Sequence, residues 1–141
     1  MRTLHPAAWK PPIGYANGIA AAPGEIVFIA GQVGWDADQV FRSTELVPQF
    51  EQALRNVLAV LAEADGRPEH ICRMTAYCTD KIAYTAARTE LGRIWRRLMG
   101  KHYPAMSMIF VADLLDHPGK IELEATAVIP ARDGAGRSSS D

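Results

Sequence analysis

The chain has 141 residues, 48% hydrophobic and 22% charged, a balance that fits one compact domain around one core rather than two. Lys plus Arg number 15 against 16 Asp plus Glu, a formal charge of −1, so no strong overall field draws in a polyanion or an acidic membrane. A spanning helix needs about 20 apolar residues and no stretch supplies them. The opening MRTLHPAAWKPP has no apolar run to act as the core of a secretory signal, so a cytoplasmic protein is expected.

In chain order, Gly18 to Ala22, the pair Pro23-Gly24 and the run EIVFIAGQ read as a β-hairpin, because Pro then Gly suits the central positions of a type II turn. From Leu46 to Ala64 the residues Val47, Phe50, Leu54, Val57, Leu58 and Leu61 recur at helical spacing. Thr44 is the expected N-cap and Gly66-Arg67-Pro68 the stop, while Pro48 is tolerated in a first turn whose amides lack intrahelical partners. Ile71 to Thr79 then alternates, with Cys72, Met74, Ala76 and Cys78 on one face and Arg73, Thr75, Tyr77 and Thr79 on the other.

A second helix is expected from Asp80 as N-cap to Gly100 as terminator, with Tyr84, Ala87, Leu91, Ile94, Trp95 and Leu98 as its apolar stripe. Two strands follow. MSMIFVA is apolar on both faces, and KIELEATAVI separates Ile121, Leu123, Ala125, Ala127 and Ile129 from Lys120, Glu122, Glu124, Thr126 and Val128. The order is β-β-α-β-α-β-β. Two helices cover one face of such a sheet, yet IVFIAG and MSMIFVA carry apolar side chains on both, so a symmetric homo-oligomer is expected to supply the missing layer. The small and polar ARDGAGRSSSD from Ala131 reads as a disordered tail (131–141) behind a single domain (1–130).

Chemistry is sparse in the motifs. The two cysteines, Cys72 and Cys78, share one strand about 20 Å apart, too far for a disulfide, and read as small core residues. G-x-S-x-G, H-E-x-x-H, the P-loop and G-x-G-x-x-G are absent, and His5, His70, His102 and His117 are scattered without metal or triad spacing. Arg93, Arg96, Arg97 and Lys101 around Trp95 form a basic helix end that suits the helix dipole better than a nucleic-acid surface. Glu122 and Glu124 beside Lys120 stay open between solvated surface, a subunit salt bridge and a water-activating base.

Taken together, PIGYANG, IVFIAGQVGWD, FEQALRNVLAVLAEADG, MTAYCTD, HYPAMSMIFVADL and IELEATAVIP resemble the Rid family, the reactive intermediate deaminases also described as YjgF-like or endoribonuclease L-PSP-like, from about Ile13 to Pro130. The resemblance implies the chorismate mutase-like α+β fold, with two helices on one face of a mixed sheet, and a homotrimer with clefts between subunits. In the deaminase branch it implies hydrolysis of an enamine or imine to a carbonyl compound and ammonia, without metal or organic cofactor. There an Arg after Pro-Ala clamps the substrate carboxylate. Here Pro104-Ala105 is followed by Met106, Ala30 replaces the Ser before Gly31-Gln32, Thr89 stands where that branch has Asn, and Met108 where it often has Cys.

Methionine cannot make a bidentate charge-assisted pair, so a small carboxylate-bearing imine loses its anchor unless Arg88 or Lys10 meets it. The resemblance assigns Glu122 to orienting or deprotonating water and Tyr15 to holding the ligand, as the catalytic pair. Ala30, Gly31, Gln32, Thr89, Met106 and Met108 become the substrate-binding set, with a greasier cleft for a bulkier or aromatic small molecule. The expected function is a cofactor-free imine or enamine hydrolase; a non-catalytic small-molecule-binding trimer is the alternative, and an endoribonuclease stands behind both.

Overall fold

A computed structural model describes residues 1–131. Its elements in order are β1 (Arg2–Leu4), β2 (Gly18–Ala20), β3 (Gly24–Val33), α1 (Leu46–Ala62), a 3-10 turn (Pro68–His70), β4 (Ile71–Cys78), α2 (Lys81–Ala86), α3 (Arg88–Met99), β5 (Ala105–Phe110) and β6 (Ile121–Pro130). The main sheet runs β3-β6-β4-β5, with β4 and β5 parallel and β6 antiparallel to both of its neighbours. This is the expected chorismate mutase-like α+β arrangement.

The helical periodicity has a direct structural outcome. Phe50, Ala53, Leu54, Val57 and Leu61 of α1 and Leu91, Ile94, Trp95 and Met99 of α3 are buried against Met74 and Ala76 of β4 and Ile121, Leu123, Ala125 and Ala127 of β6. Each fully buried Leu or Ile stabilises the fold by roughly 1.5–3 kcal/mol relative to exposure. No helix among the described residues covers the opposite face, and Phe28 is 78% exposed there, Ile26 57% and Ile109 44%.

Several expectations are corrected. Gly18–Ala20 pairs with Arg2–Leu4, not with β3, so the hairpin over Pro23-Gly24 does not form. A type II turn needs positive φ at its glycine, and Gly24 has none; it starts β3 opposite Pro130, where an added Cβ would clash with the Ile129 carbonyl oxygen. Glu45, not Thr44, is the N-cap of α1, and it makes no side-chain capping bond. Beyond the end of α1 the positive φ falls on Asp65, while a Cβ at Gly66 would clash with the buried Leu61 side chain.

The second helix is two, divided at Ala87, whose φ of −99° and ψ of 6° belong to neither helix. No proline or glycine marks the break, and the Leu91 amide still donates to the Ala87 carbonyl, so the apolar stripe continues across it. Asp80 does cap α2 by accepting from the Ala83 amide, and Gly100, at φ 66°, closes α3. In β4 a register shift between Ile71 and Arg73 turns Ile71 inward and leaves Cys72 half-buried, so only Cys78 is a buried cysteine; both thiols are free. The tail read from Ala131 onward lies outside the described residues beyond Ala131 itself. No helix among the described residues is long and apolar enough to cross a membrane.

One buried amide fixes the lead into β6. Gln49 is 1% exposed; its Nε2 donates to the Ser43 and Pro118 carbonyls, and its Oε1 accepts from the Lys120 amide, one residue before the strand begins. Gly34 lets the β3 exit approach, since a Cβ there would be 2.6 Å from the Gln49 backbone. Replacing Gln49 by Leu leaves these groups without partners and is expected to cost about 3 kcal/mol, measured as a lower urea midpoint at unchanged slope.

Candidate active site

The β6 pattern decides which carboxylates matter. Glu122 and Glu124 alternate with Ile121, Leu123 and Ala125, so packing those three under the helices turns both glutamates onto the open face. Tyr77 lies opposite Glu122, Thr75 opposite Glu124 and Arg73 opposite Thr126, which gathers the polar alternates of two strands on one surface. Across β6 on its other side, β3 carries a bulge between Ile29 and Gln32. Gly31 lies in it, and a Cβ there would stand 2.7 Å from Glu122 Oε2 and 2.8 Å from its Cδ. A side chain at this position would have to displace the Glu122 carboxylate from over the strand backbone.

Glu122 is half-buried, and its pKa is pushed above the usual carboxylate value, first by burial and then by the negative charges of Asp116 and Glu124. Glu124 is held differently: the Tyr77 hydroxyl donates to its Oε1 at 2.7 Å, and that bond is the main reason the phenol pKa is pushed up. The surface therefore presents one carboxylate tied to a phenol and another left free to take a proton. Ala30 is exposed beside Gly31, and half-buried Gln32 folds back to donate from Nε2 to the Ala30 carbonyl.

The remaining sequence candidates lie elsewhere in the chain. Met106 is paired with Met74 and Met108 with Ala76, so both methionines point to the helix-covered face and pack against the core, on the side opposite Glu122. Thr89 is exposed in the first turn of α3. Tyr15, 43% exposed, is held beside the start of β5, because Ala16 bridges Ala105 and its amide donates to the Pro104 carbonyl. Ala105 stands level with Arg73 and Glu122 level with Tyr77, about 13 Å along the strands and two strand spacings of about 4.8 Å across. Within one chain the candidates form two groups, Glu122 with Ala30, Gly31 and Gln32, and Tyr15 with Met106 and Met108 near β5.

The fold coincides with that of a known family: a model described as Endoribonuclease L-PSP matches residues 6–129. The chain belongs to this family. A crystal structure of a Rid-family protein of unknown function, YyfB from Yersinia pestis, superposes with a TM-score of 0.81 at 30% identity, over 91% of this chain and 98% of that one. The RutC family protein PM1466 of Pasteurella multocida is 29% identical over 105 residues, 74% of this chain and 81% of that protein. The RutC family protein slr0709 of Synechocystis is 28% identical over 132 residues, 92% and 98% of the respective chains.

Sequence reasoning placed Glu122 and Glu124 on one face of this Rid-family chain but missed Asp116 and the alliance of Tyr77 with Glu124. The period-2 pattern had already set Arg73, Thr75 and Tyr77 on the polar side of their strand; the pairing of β4 with β6 was the missing piece. Asp116 sits in an irregular loop and gave no signal. The basic end of α3 is less available than its composition suggested, since Arg97 donates to Glu51 at 2.6 Å. Trp95 is buried, stacked on Tyr103 at 5.9 Å and bonded through Nε1 to the His102 carbonyl, so no base can stack on it.

A raised folded-state pKa means that the stability contributed by Glu122 is fully present below its unfolded value and is lost as pH rises through the folded value. Glu122→Gln is therefore expected to raise the Tm at pH 7, with the gain shrinking as pH falls through the raised folded value and gone below the ordinary value of 4.5. Thermal melts of both proteins across that range measure it. Glu124→Gln removes a neighbouring negative charge and is expected to lower the Glu122 titration midpoint, read by carboxyl-carbon NMR.

Proposed function

We propose that this Rid-family chain is a cytoplasmic, cofactor-free hydrolase of a reactive imine or enamine that lacks a carboxylate, acting as a homotrimer. The observation that carries the reading is Glu122: a half-buried carboxylate with a raised pKa, set over the Gly31 backbone on an otherwise uncovered sheet face. A carboxylate whose pKa is raised takes a proton more readily than an ordinary one and can return it. Water bonds through its oxygen to the iminium carbon while Glu122 takes one of its protons. Glu122 hands that proton to the nitrogen of the carbinolamine, the C–N bond breaks, and the hydroxyl proton leaves with the ammonia as ammonium, freeing the carbonyl compound.

Substrate charge follows from the same surroundings. Glu122, Glu124 and Asp116 make a negative neighbourhood that favours a cationic iminium over a substrate carrying its own carboxylate. Met106, at the position of the family's carboxylate-binding Arg, adds no positive charge. The trimer is supported by the uncovered Phe28 and Ile26 and by the division of the candidates between two places in one chain; a neighbouring copy would bring the Tyr15 region against Glu122 and Gly31. The packing of Met106 and Met108 into the core is what favours the alternative, a trimer that binds a small molecule without turning it over.

Ammonia release from aliphatic and aromatic carboxylate-free imines, generated in situ by a coupled oxidase, tests the proposal. Wild type is expected to turn over at least one of them, with Glu122→Gln reducing the rate on the order of 100-fold or more. Gly31→Ala is expected to lose activity as well while keeping its fold, because its methyl displaces the Glu122 carboxylate. Wild type that binds an imine analogue but releases no ammonia from any of the panel would overturn the hydrolase in favour of the binder.

A further inference from the structure

We infer that the end of the molecule away from Glu122 carries a second ligand site, beside His70 and His102, for a small neutral phenol. A depression of about 390 Å³ lies there, with Ile19 of β2, Val128 and Pro130 of β6 and the two histidines in its walls. Only Val128 and Pro130 come from the main sheet, both where β6 finishes; the rest come from the β1–β2 ribbon, the 3-10 turn and the segments beside them, so the depression lies at the end of the sheet and not across its open face. Val128 is six residues beyond Glu122, roughly 20 Å along the strand, and no residue is shared with the Glu122–Gly31 contact. Neither the location nor the ligand follows from the hydrolase reading.

Two bonds to the backbone set what the histidines offer. His70 ends the 3-10 turn, and the Arg67 amide donates to its Nδ1 at 2.9 Å, so the ring proton sits on Nε2. His102 is set the other way round. Its Nε2 lies 2.7 Å from the Ile71 carbonyl oxygen, which only accepts, so Nε2 carries the proton and Nδ1 of the neutral ring keeps its lone pair. The His102 backbone is itself held from the core, since Trp95 Nε1 donates to its carbonyl. Both rings thereby attach to one short stretch of chain, His70 preceding Ile71 and His102 bonding to it. His70 Nε2 and His102 Nδ1 have no hydrogen-bond partner among the described residues, and no unpartnered side-chain nitrogen there is buried, so both are within reach of a ligand.

The depression thus presents one fixed donor and one fixed acceptor. A hydroxyl is the smallest group that matches both, because its oxygen accepts from His70 and its proton goes to His102. A phenolic hydroxyl is a good donor that stays neutral at pH 7, and its ring suits the apolar walls of Ile19, Val128 and Pro130. An anion finds less here, since Arg67, the guanidinium on the rim, is already paired with Glu69 at 3.0 Å.

The experiment is calorimetric titration of the whole protein with 4-methylphenol, with 4-methylanisole, which accepts but cannot donate, and toluene, which does neither, as the comparison probes. Wild type is expected to bind 4-methylphenol at millimolar concentration or below and each of the other two about fivefold or more weakly, since a hydrogen bond is lost. His70→Asn keeps an oxygen near the place of Nδ1 for the Arg67 amide and removes the Nε2 donor; His102→Gln keeps an amide nitrogen near the place of Nε2 for the Ile71 carbonyl and removes the Nδ1 acceptor. Both are expected to melt as wild type does and to weaken 4-methylphenol by a similar factor, a loss that a merely structural histidine would not show. Glu122→Gln is expected to bind it as wild type does. The comparison of probes on wild type does not depend on any variant folding, and no outcome of the titration bears on ammonia release. The inference is overturned if 4-methylphenol does not bind at millimolar concentration, or if the three probes bind alike. It is overturned equally if both histidine variants fold and bind as wild type does, or if Glu122→Gln abolishes binding, since the phenol would then occupy the cleft at Glu122.

Discussion

The structure depends on one asymmetry: four strands form a sheet, and the helices cover only one side of it. Every inward alternate of β6 and β4 is consumed by the core, so Ile121, Leu123, Ala125, Met74 and Ala76 have no freedom to do anything else. Every outward alternate is released from that duty. On the released side, side chains are spaced rigidly by strand geometry without being needed for packing. The same side is left with Phe28 and Ile26 in water, which is a solubility cost for a lone chain and a natural seat for more of the same protein.

Within that surface, electrostatic roles are divided by neighbours rather than by residue type. Glu122 and Glu124 are two residues apart on one strand and chemically equivalent in the unfolded chain. Burial and the nearby negative charges of Asp116 and Glu124 bias Glu122 toward its neutral form, while the Tyr77 hydroxyl commits Glu124 to accepting a hydrogen bond. Holding one carboxylate above its ordinary pKa costs stability at neutral pH, while the buried Gln49 amide anchors the head of the same strand.

Much of the fold was legible because it rests on periodicity. The stripe from Phe50 to Leu61 and the alternation from Ile121 to Ala127 are each tied to one geometry, and both appear as read. What was not legible rests on partnerships between distant segments. Nothing in Gly18–Ala20 announces that it pairs with Arg2–Leu4 instead of the strand that follows it, since Pro23-Gly24 carries the turn signature equally well. The bulge that rotates Ile71 inward at the expense of Cys72 is invisible to a period-2 count. For the site, residue type and family likeness pointed to Glu122 and Gly31, and the contact between them is in the structure. The direction of Met106 and Met108 required knowing that β5 runs parallel to β4 in a particular register.

The bulge in β3 carries a consequence for how this chain tolerates change. Upstream of it Val27 and Ile29 face the helices and Ile26 and Phe28 face outward, while downstream the pairing with β6 resumes at Gln32 and Leu123. Two residues of β3 are thereby spent against one of β6. Loss of a single residue here would restore a regular ladder, and with it reverse the parity of one half of the strand relative to the other. Either Phe28 would be driven into a core already filled by Ile29, or the backbone at Gly31 would be withdrawn from beneath Glu122. The length of this segment is therefore as tightly constrained as its composition, and substitution, rather than insertion or deletion, is the route by which Ala30 and its neighbours can vary.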